Sequence, residues 1–379
     1  MSYNSFSVPR NVLFDSGAIS HLAELNGDRA IIVTGGSSMK RTGYLDKSQN
    51  LLESSGMQVE IIDGVEPNPS VQTVNQGAAK MREFQPDWIV ALGGGSALDA
   101  AKIMWAFYEH EDLEFEDILE INSIPELRNK SQFIAIPSTS GTASEITAFS
   151  VITDTERHIK YPIVSGEIVP DIAIVDPEIP ASMPPSITAN TGMDVMAHAI
   201  ESFVSTGATD YTDPLAMKAI RLVFDYLPAA YQDGDDIDAR THMHNASTIA
   251  GMAFSNSSLG IIHSLAHKIG GEFGVTHGLA NAILLPYICE YNRKATDKFD
   301  VIEKRLEMDN IISALKQLNK ALDIPISFNE LDISEDDFED VLSRMSENAY
   351  NDPCTLTNPR ETSIEDVKKI YEAAFYGND

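Results

Sequence analysis

The sequence predicts two domains of different class: an α/β N-terminal domain, with a mostly parallel sheet and helices on both faces, and an all-α C-terminal domain. Short apolar runs alternate with helical stretches up to Pro137, which is typical of parallel strands buried on both sides. From residue 186 onward the long segments all have helical patterns. A chain of 379 residues suits two domains at about 150 residues each. We expect these domains to be residues 1–180 and 181–379.

The first domain is interpreted as alternating strands and helices, which is the layout of a nucleotide-binding domain. The proline-rich stretch 151–185 is irregular and is predicted to connect the two domains. Strands are expected at 30–34, 59–62, 88–92 and 132–136, with helices at 44–55, 70–84 and 96–109.

The second domain is predicted to consist of helices. Ser334 with Asp337, and Ser363 with Asp366, have capping-box spacing at the last two helix starts. The helices are expected at 186–205, 213–231, 239–254, 258–271, 277–292, 301–321, 335–349 and 363–376.

The chain is strongly acidic, with 57 Asp and Glu against 27 Lys and Arg and a net charge of −30. Phosphates would be repelled over most of this surface, so we expect no nucleic-acid or anionic-membrane partner. A small anionic cofactor needs only one local pocket of opposite sign and stays compatible. No apolar run is long enough to predict a membrane span. Two cysteines and no signal-peptide pattern favour a cytoplasmic location.

Two loops that follow predicted strands have the composition of a phosphate-binding site. Gly93-Gly94-Gly95-Ser96 precedes a helix, where glycines let a phosphate approach the free N–H groups and the positive helix end. The run is not G-x-G-x-x-G, and a simple tight turn is the alternative interpretation. The second loop, Pro137–Glu145, contains several hydroxyls and one glycine. Two such loops favour a ligand at the carboxyl ends of the strands.

Ligand-type residues recur at helical spacing in the second domain. Asp194 and His198 are four residues apart on one predicted helix, His263 and His267 repeat that spacing on another, and His277 starts the next. Carboxylate and imidazole together suit Zn²⁺, Fe²⁺ or Mn²⁺. The spacing does not decide which four of the five bind a metal. An unligated fifth imidazole in the same site would be placed for proton transfer.

Other metal and histidine patterns carry less information. The His263–His267 segment lacks the Glu of H-E-x-x-H, which disfavours a zinc protease. His242 and His244 follow the acidic loop Asp233–Asp238 and are predicted to face solvent.

The sequence resembles the iron-containing (group III) alcohol dehydrogenases. The resemblance rests on the segment Gly192–Glu201 together with His263-x3-His267-x9-His277, and it runs over nearly the whole chain. Further segments similar to the family are Glu66–Pro69, Gly93–Asp99, Pro137–Glu145, Lys160, Asp176-Pro177 and Asn358–Arg360.

The resemblance implies an active site in a cleft between an α/β domain and a helical domain. It implies Asp194, His198, His263 and His277 as metal ligands and His267 as a non-ligand histidine in a proton relay. Family expectation favours Fe²⁺, with Zn²⁺ as the other candidate. A homodimer or higher homo-oligomer is expected. The implied cofactor-binding residues are Gly94, Gly95, Ser96 and Asp99 at the pyrophosphate, Ser138, Thr139, Thr142 and Lys160 at the nicotinamide and ribose, and Asn68 near the adenosine.

The segment Gly35-Gly36-Ser37-Ser38 predicts the type of nucleotide. Family members that prefer NAD often have an aspartate directly after the strand that ends here at Thr34, where a carboxylate repels a 2′-phosphate. Small hydroxyls with Lys40 and Arg41 close behind suit that phosphate instead. The pattern is similar to the NADP-preferring butanol-dehydrogenase branch, so we expect NADP(H) rather than NAD(H).

These inferences predict a metal-dependent alcohol dehydrogenase or aldehyde reductase. It would transfer a hydride between NADP(H) and a small primary alcohol or aldehyde. The alternatives are a glycerol-dehydrogenase-like diol oxidoreductase, a dehydroquinate-synthase-like lyase, or a non-catalytic nucleotide-binding protein. Few Lys or Arg lie near the histidines in the sequence, which disfavours the synthase because its substrate is phosphorylated.

Overall fold

A computed structural model describes residues 5–157 and 159–377 of the chain. The Cα positions divide the chain into two compact units, one of residues 7–182 and one built mainly from Met183 onward. Each unit is described separately below.

A six-stranded sheet forms the centre of the first unit, and all of its strand pairs are parallel. The eight strands of the described chain are β1 Asn11–Phe14, β2 Arg29–Gly35, β3 Gln58–Val65, β4 Trp88–Gly93, β5 Gln132–Pro137, β6 Phe149–Asp154, β7 Ile159–Val164 and β8 Ile172–Val175. The strand order in the six-stranded sheet is β1-β8-β5-β4-β2-β3, so β3 and β4 lie on opposite sides of β2. The chain therefore changes direction across the sheet between β2 and β4, which is where parallel α/β sheets bind ligands.

Both faces of the sheet are covered, because alternate residues of each strand point to opposite sides. Ile31, Val33 and Ile89 pack into one apolar cluster, while Ile32 and Val90 pack into a second cluster on the other face. This explains why the strands are uninterrupted apolar runs. The helices of the described chain are α1 Ser38–Arg41, α2 Tyr44–Ser54, α3 Val71–Phe84, α4 Gly95–Glu109, α5 Pro185–Val204, α6 Asp213–Gln232, α7 Ile237–Ser257, α8 Ile261–Phe273, α9 His277–Asn292, α10 Lys298–Leu306, α11 Ile311–Ala321, α12 Glu335–Tyr350 and α13 Ile364–Tyr376.

The interpretation of 151–185 as an irregular connection is wrong. Strands β6 and β7 form an antiparallel hairpin there, and β8 lies inside the main sheet between β1 and β5. The strands were not predicted because prolines usually indicate irregular structure. Pro162 is tolerated in β7 because the one strand paired with β7 in the described chain is β6, which makes β7 an edge strand. Pro170 lies just before β8, where it removes no hydrogen bond of that strand.

The second unit is helical, and the predicted fold class is therefore confirmed. Helix α5 is buried nearly all round and packs against α6, α7 and α9. The predicted single helix 301–321 is in fact two helices. Helix α10 ends at Leu306, because the next residue, Glu307, has a left-handed φ of 56°. The side chain of Asn310 then accepts a hydrogen bond from the Ser313 N–H and caps the start of α11. In residues 5–157 and 159–377, no helix combines the length and apolar character needed to cross a bilayer.

Candidate metal centre and cofactor-binding loops

Helix α5 holds an ionisable pair inside an apolar core. Every residue from Gly192 to Val204 is buried and most of them are apolar, as expected where a helix is surrounded by others. Asp194 and His198 are 3% and 5% exposed, and they share one face of this helix. A carboxylate in such surroundings needs a positive or hydrogen-bonding partner, because burying it alone is costly.

Partners for Asp194 come from two further helices. His263 in α8 and His277 at the start of α9 place their Nε2 atoms 3.8 and 3.5 Å from Asp194 Oδ1. With His198, these residues offer four ligand-type atoms that lie within 4.8 Å of one another. The Nδ1 atom of His198 is buried without a hydrogen-bond partner. Three imidazoles, one carboxylate and an unsatisfied buried nitrogen together fit a divalent cation of the Fe²⁺ or Zn²⁺ kind.

The protonation of these groups follows from their surroundings. Burial lowers the pKa of His198 to about 3, which leaves its ring neutral, as a ligand must be. Burial would raise the pKa of Asp194, but the imidazoles of His198, His277 and His263 outweigh it and hold this pKa well below its usual value. Burial would also lower the pKa of His263, but the carboxylates of Glu201 and Asp194 raise it to about 9.

One side of the cluster is open to solvent. The side chains of His277 and His267 are both 39% exposed, whereas those of His198 and His263 are buried. His267 lies outside the four-residue group, but its ring stacks on that of His277 with centroids 5.4 Å apart. Its Nδ1 is 3.2 Å from Asp352 Oδ2. A small molecule could therefore reach the cluster beside an imidazole that is free to exchange protons.

Helix α9 approaches α5 very closely next to His277. A Cβ atom added at Gly278 would lie 2.2 Å from the carbonyl oxygen of Asn190 in α5. Asn281, one turn after His277, donates a hydrogen bond of 2.6 Å from Nδ2 to Asp194 Oδ1. The glycine and the amide together hold the start of α9 against the carboxylate of α5.

The glycine-rich loop and the hydroxyl-rich loop of the first unit lie against each other. A Cβ atom at Gly95 would be 3.0 Å from Thr142 Oγ1, and one at Gly94 would be 3.5 Å from Thr139 Cγ2. The backbone N–H of Asn68, in the loop after β3, is 3.4 Å from Ser96 Oγ. Loops after β3, β4 and β5 therefore meet at one edge of the sheet.

The segment Gly35–Ser38, at the carboxyl end of β2, lies at the same edge of the sheet as these loops. A Cβ atom at Gly35 would lie 2.7 Å from the carbonyl oxygen of Val65, and Gly36 has a left-handed φ of 56°. Ser37 is exposed and Ser38 is half-buried. Of the remaining predicted cofactor residues, Ser138 follows β5 directly and is buried, whereas Lys160 is exposed on β7.

Both oxygens of the Asp99 carboxylate accept hydrogen bonds from within the protein. Oδ1 accepts a 2.6 Å hydrogen bond from Ser144 Oγ, and Oδ2 accepts one of 3.0 Å from the Val151 N–H. Lys102, one turn later on α4, donates to the carbonyl oxygens of Thr147 and Phe149 at 2.8 Å each. Burial lowers the pKa of Lys102 to about 8, against the opposing effect of Asp99 and Glu145. Asp99 therefore ties α4 to the hydroxyl-rich loop.

Sequence comparison identifies the family. A model described as iron-containing alcohol dehydrogenase matches residues 9–177, and a model of the C-terminal part of the Fe-containing alcohol dehydrogenase family matches residues 188–375. The chain belongs to the iron-containing alcohol dehydrogenase family. It is accordingly an oxidoreductase of the NAD(P)-dependent, iron-type alcohol dehydrogenase class.

Individual alcohol dehydrogenases are similar over the whole chain. An NADPH-dependent butanol dehydrogenase of Clostridium saccharobutylicum is 47% identical over 384 residues, covering 99% of this chain and 98% of that protein. The iron-containing alcohol dehydrogenase of Thermococcus thioreducens has a TM-score of 0.92 at 36% identity, covering 99% of this chain and 100% of that one. A 1,3-propanediol oxidoreductase has a TM-score of 0.93 at 35% identity with the same coverage.

Several side chains of this alcohol dehydrogenase contact the candidate site but were not predicted. Asn281 lies one helical turn after His277, a spacing that could have indicated it. Glu201 and Asp352 contact His263 and His267 across 62 and 85 residues of sequence, so no local spacing could indicate those contacts. The prediction that His244 faces solvent is wrong. It is 1% exposed because its side of α7 packs into the core.

Proposed function

We propose that the protein transfers a hydride between NADP(H) and a small primary alcohol or aldehyde, at a divalent metal bound by Asp194, His198, His263 and His277. The observation that carries this proposal is the convergence of four ligand-type atoms within 4.8 Å. The butanol dehydrogenase at 47% identity supports the substrate class. When bound, the cation acts as a Lewis acid on the substrate oxygen. Fe²⁺ is proposed from the family, and Zn²⁺ suits the same ligands.

His267 is proposed to exchange the hydroxyl proton of the substrate with solvent. Its ring is partly exposed and stacks on His277, so it is near the metal ligands and in contact with water. The Asp352 carboxylate accepts a hydrogen bond from Nδ1 of His267, which leaves Nε2 of that ring available for proton transfer.

The cofactor is proposed to lie along the carboxyl ends of the strands. Gly35, Gly36, Ser37 and Ser38, with Lys40 and Arg41, would receive the 2′-phosphate. The NADPH dependence of the similar butanol dehydrogenase supports this preference for NADP(H). Asp99 would act through the loops that it holds. The direct contacts are proposed to come from Asn68, Gly94, Gly95 and Ser96 on the adenosine and pyrophosphate side, and from Ser138, Thr139, Thr142 and Lys160 on the nicotinamide side.

We also propose that residues 1–180 form the nucleotide-binding domain and residues 181–379 the metal-binding domain, in line with the division at Met183. The enzyme is proposed to be cytoplasmic and to form a homodimer or a higher homo-oligomer. Light scattering on the purified protein tests the oligomeric state.

Metal analysis of anaerobically purified variants tests the ligand assignment. Asp194→Ala and His263→Ala should lose metal and turnover together, because each removes one of four ligands. His267→Ala should retain metal and lower kcat by roughly 10²- to 10⁴-fold, as expected when a proton-transfer group is lost. His242→Ala is the control, since this partly exposed ring stacks on Tyr226 and should affect neither quantity. Full turnover by a metal-free Asp194 variant would contradict the proposal.

Nucleotide preference is tested by kcat/KM for NADPH and NADH with a panel of alcohols, aldehydes and diols. The wild type should prefer NADPH. Ser37→Asp should shift the ratio toward NADH by at least roughly tenfold, because a carboxylate at this exposed position repels a 2′-phosphate. Ser37→Asn keeps the size without the charge and should shift it far less. A wild type that prefers NADH would refute the assignment.

A further inference from the structure

We propose that Glu201 is a positioning residue that holds the ring of His263 in the tautomer and orientation required for metal binding. The inference rests on the proposed function, in which His263 is a ligand. Glu201 lies in the last turns of α5, seven residues after Asp194, and is 1% exposed. Its carboxylate hydrogen-bonds to His263 and to the backbone of Ile262, so its effect on the metal passes through His263.

Both oxygens of the Glu201 carboxylate are directed at the first turn of α8. Oε2 accepts a hydrogen bond of 2.5 Å from His263 Nδ1, and Oε1 accepts one of 2.6 Å from the backbone N–H of Ile262. The Ile262 N–H is among the first N–H groups of the helix, which lack partners within it. One side chain therefore satisfies a helix-end donor and orients the neighbouring imidazole.

The hydrogen bond at Nδ1 determines which nitrogen is free to bind a metal. A carboxylate accepts but cannot donate, so it keeps the proton of the neutral ring on Nδ1 and leaves the lone pair on Nε2. His263 Nε2 is the atom that faces the cluster, 3.8 Å from Asp194 Oδ1. A carboxylate behind a ligating histidine also increases the basicity of the ligand.

The backbone around Glu201 is shaped for this contact. A Cβ atom at Gly260, three residues before His263, would lie 2.8 Å from Glu201 Oε1 and 3.1 Å from Asn358 Oδ1. A glycine at this point lets the chain before α8 pass against the carboxylate, and any larger residue would displace it. The close approach and the two short hydrogen bonds together indicate a built contact.

Glutamine at position 201 separates positioning from simple packing. Its amide has the shape of the carboxylate but only one accepting oxygen. If that oxygen keeps the Ile262 N–H, the NH₂ group donates to His263 Nδ1 and drives the ring proton onto Nε2, the atom needed by the metal. If the oxygen instead accepts from His263, the NH₂ group faces the Ile262 N–H, and the start of α8 must shift because two donors then oppose each other.

The test measures Zn²⁺ and Co²⁺ affinity of the metal-stripped full chain by competition with a chelator, together with the absorption spectrum of the Co²⁺-loaded protein. Glu201→Gln should raise the Kd by about 10- to 100-fold and alter the Co²⁺ spectrum. Glu201→Asp keeps both accepting oxygens and should show a smaller loss. NADPH affinity of both variants should equal that of the wild type.

Glu109→Gln is the matched control for loss of a buried carboxylate. Glu109 accepts hydrogen bonds from the N–H groups of residues 128–131, in the other unit, so this variant should lower the Tm without changing metal affinity. If Glu201→Gln has an unchanged Kd while His263→Ala loses most of its metal affinity, the role of Glu201 is overturned but the proposed ligand set is not. Wild-type affinity in His263→Ala overturns the proposed ligand set and the inference with it.

A measurement on the wild type does not depend on the folding of any variant. In ¹⁵N-histidine spectra of the Zn²⁺-loaded protein, His263 should carry its proton on Nδ1 and bind the metal through Nε2. The reverse tautomer would overturn the proposal.

Discussion

His267 and Asp352 show how a single carboxylate can orient a functional ring. Asp352 is buried, and its oxygens receive His267 Nδ1 at 3.2 Å, Lys268 Nζ at 2.7 Å and the Cys354 N–H at 3.0 Å. Burial would raise the pKa of Asp352, but His267 and Lys268 hold it well below its ordinary value. The carboxylate is therefore ionised and fixed in place at neutral pH, and it restrains a ring that is otherwise partly exposed.

Replacing Asp352 with Asn should lower kcat by at least roughly tenfold, because the amide no longer holds the His267 ring in one tautomer. Metal content and KM for NADPH should stay unchanged, since the Asp352 carboxylate accepts hydrogen bonds from His267, Lys268 and Cys354, and none of these residues is a proposed metal ligand. Steady-state kinetics and metal analysis check this expectation. Glu272→Gln is the control, because Glu272 lies on α8 like His267 but its carboxylate pairs with Arg344 of α12. Equal kcat in wild type and Asp352→Asn would show that His267 needs no such support.

At the residue scale, the candidate metal ligands could be predicted from the sequence, whereas the residues that hydrogen-bond to them could not. Asp194, His198, His263 and His277 have chemistry and helical spacing that make them recognisable together. The spacing did not separate His267 from the other four, because only the fold determines which side chains converge. Asn281, Glu201 and Asp352 are common polar residues whose importance comes from contacts across the tertiary structure.

At the element scale, the metal-site geometry depends on how closely α9 approaches α5. Gly278 has no Cβ to clash with the carbonyl of Asn190, so His277 can stand opposite Asp194. Interhelical distances are set by the size of the side chains at the contact, and a glycine gives the shortest ones. The position of His277 is thus determined by the residue that follows it.

Gly278→Ala should weaken metal binding, because the added methyl would lie 2.2 Å from the Asn190 oxygen and must push the start of α9 away. We expect at least a roughly tenfold rise in Kd for Zn²⁺, equivalent to about 1.4 kcal/mol, measured by chelator competition. Gly271→Ala is the matched control, since this helical glycine in α8 has no neighbour within 4 Å of an added Cβ. That variant should keep its metal affinity and gain about 0.4–1 kcal/mol of stability. Equal metal affinity in both variants would contradict the dependence on Gly278.

The elements that the sequence predicted well are long or strongly patterned. Strands β2, β4 and β5 are continuous apolar runs, and the long helices have clear boundaries. Strands β1 and β8 have only four residues each, too few for a periodic signal. Because β8 pairs with β1 and β5, its place inside the sheet follows from tertiary pairing that no local pattern contains.

At the scale of the whole molecule, acid stability combines many carboxylates with a few buried imidazoles. The net charge of −30 means that mild acidification first relieves repulsion among carboxylates. His244 acts in the opposite direction, since burial lowers its pKa from 6.5 to about 3 in the folded protein. The unfolded chain therefore binds this proton first as the pH falls, and the folded state loses stability.

The contribution of neutral His244 is complete above pH 6.5 and is lost progressively as the pH falls toward 3. Between pH 6.5 and 5 we expect the free energy of unfolding of the wild type to fall by roughly 1.5 kcal/mol relative to His244→Asn. Urea unfolding of both proteins over this range measures the difference, and effects of all other groups cancel in the comparison. Parallel pH profiles would contradict this prediction, because they would mean that His244 binds its proton equally well in the folded and unfolded states.

The backbone after β2 also limits how the nucleotide preference can be engineered. Of the four codons for residues 35–38, the first encodes a glycine pressed against the Val65 carbonyl and the second a glycine with a left-handed backbone. In a saturation library over all four positions, most variants would therefore replace one or both glycines and be unable to form this turn. Randomising only Ser37 and Ser38 keeps both glycines and with them the turn.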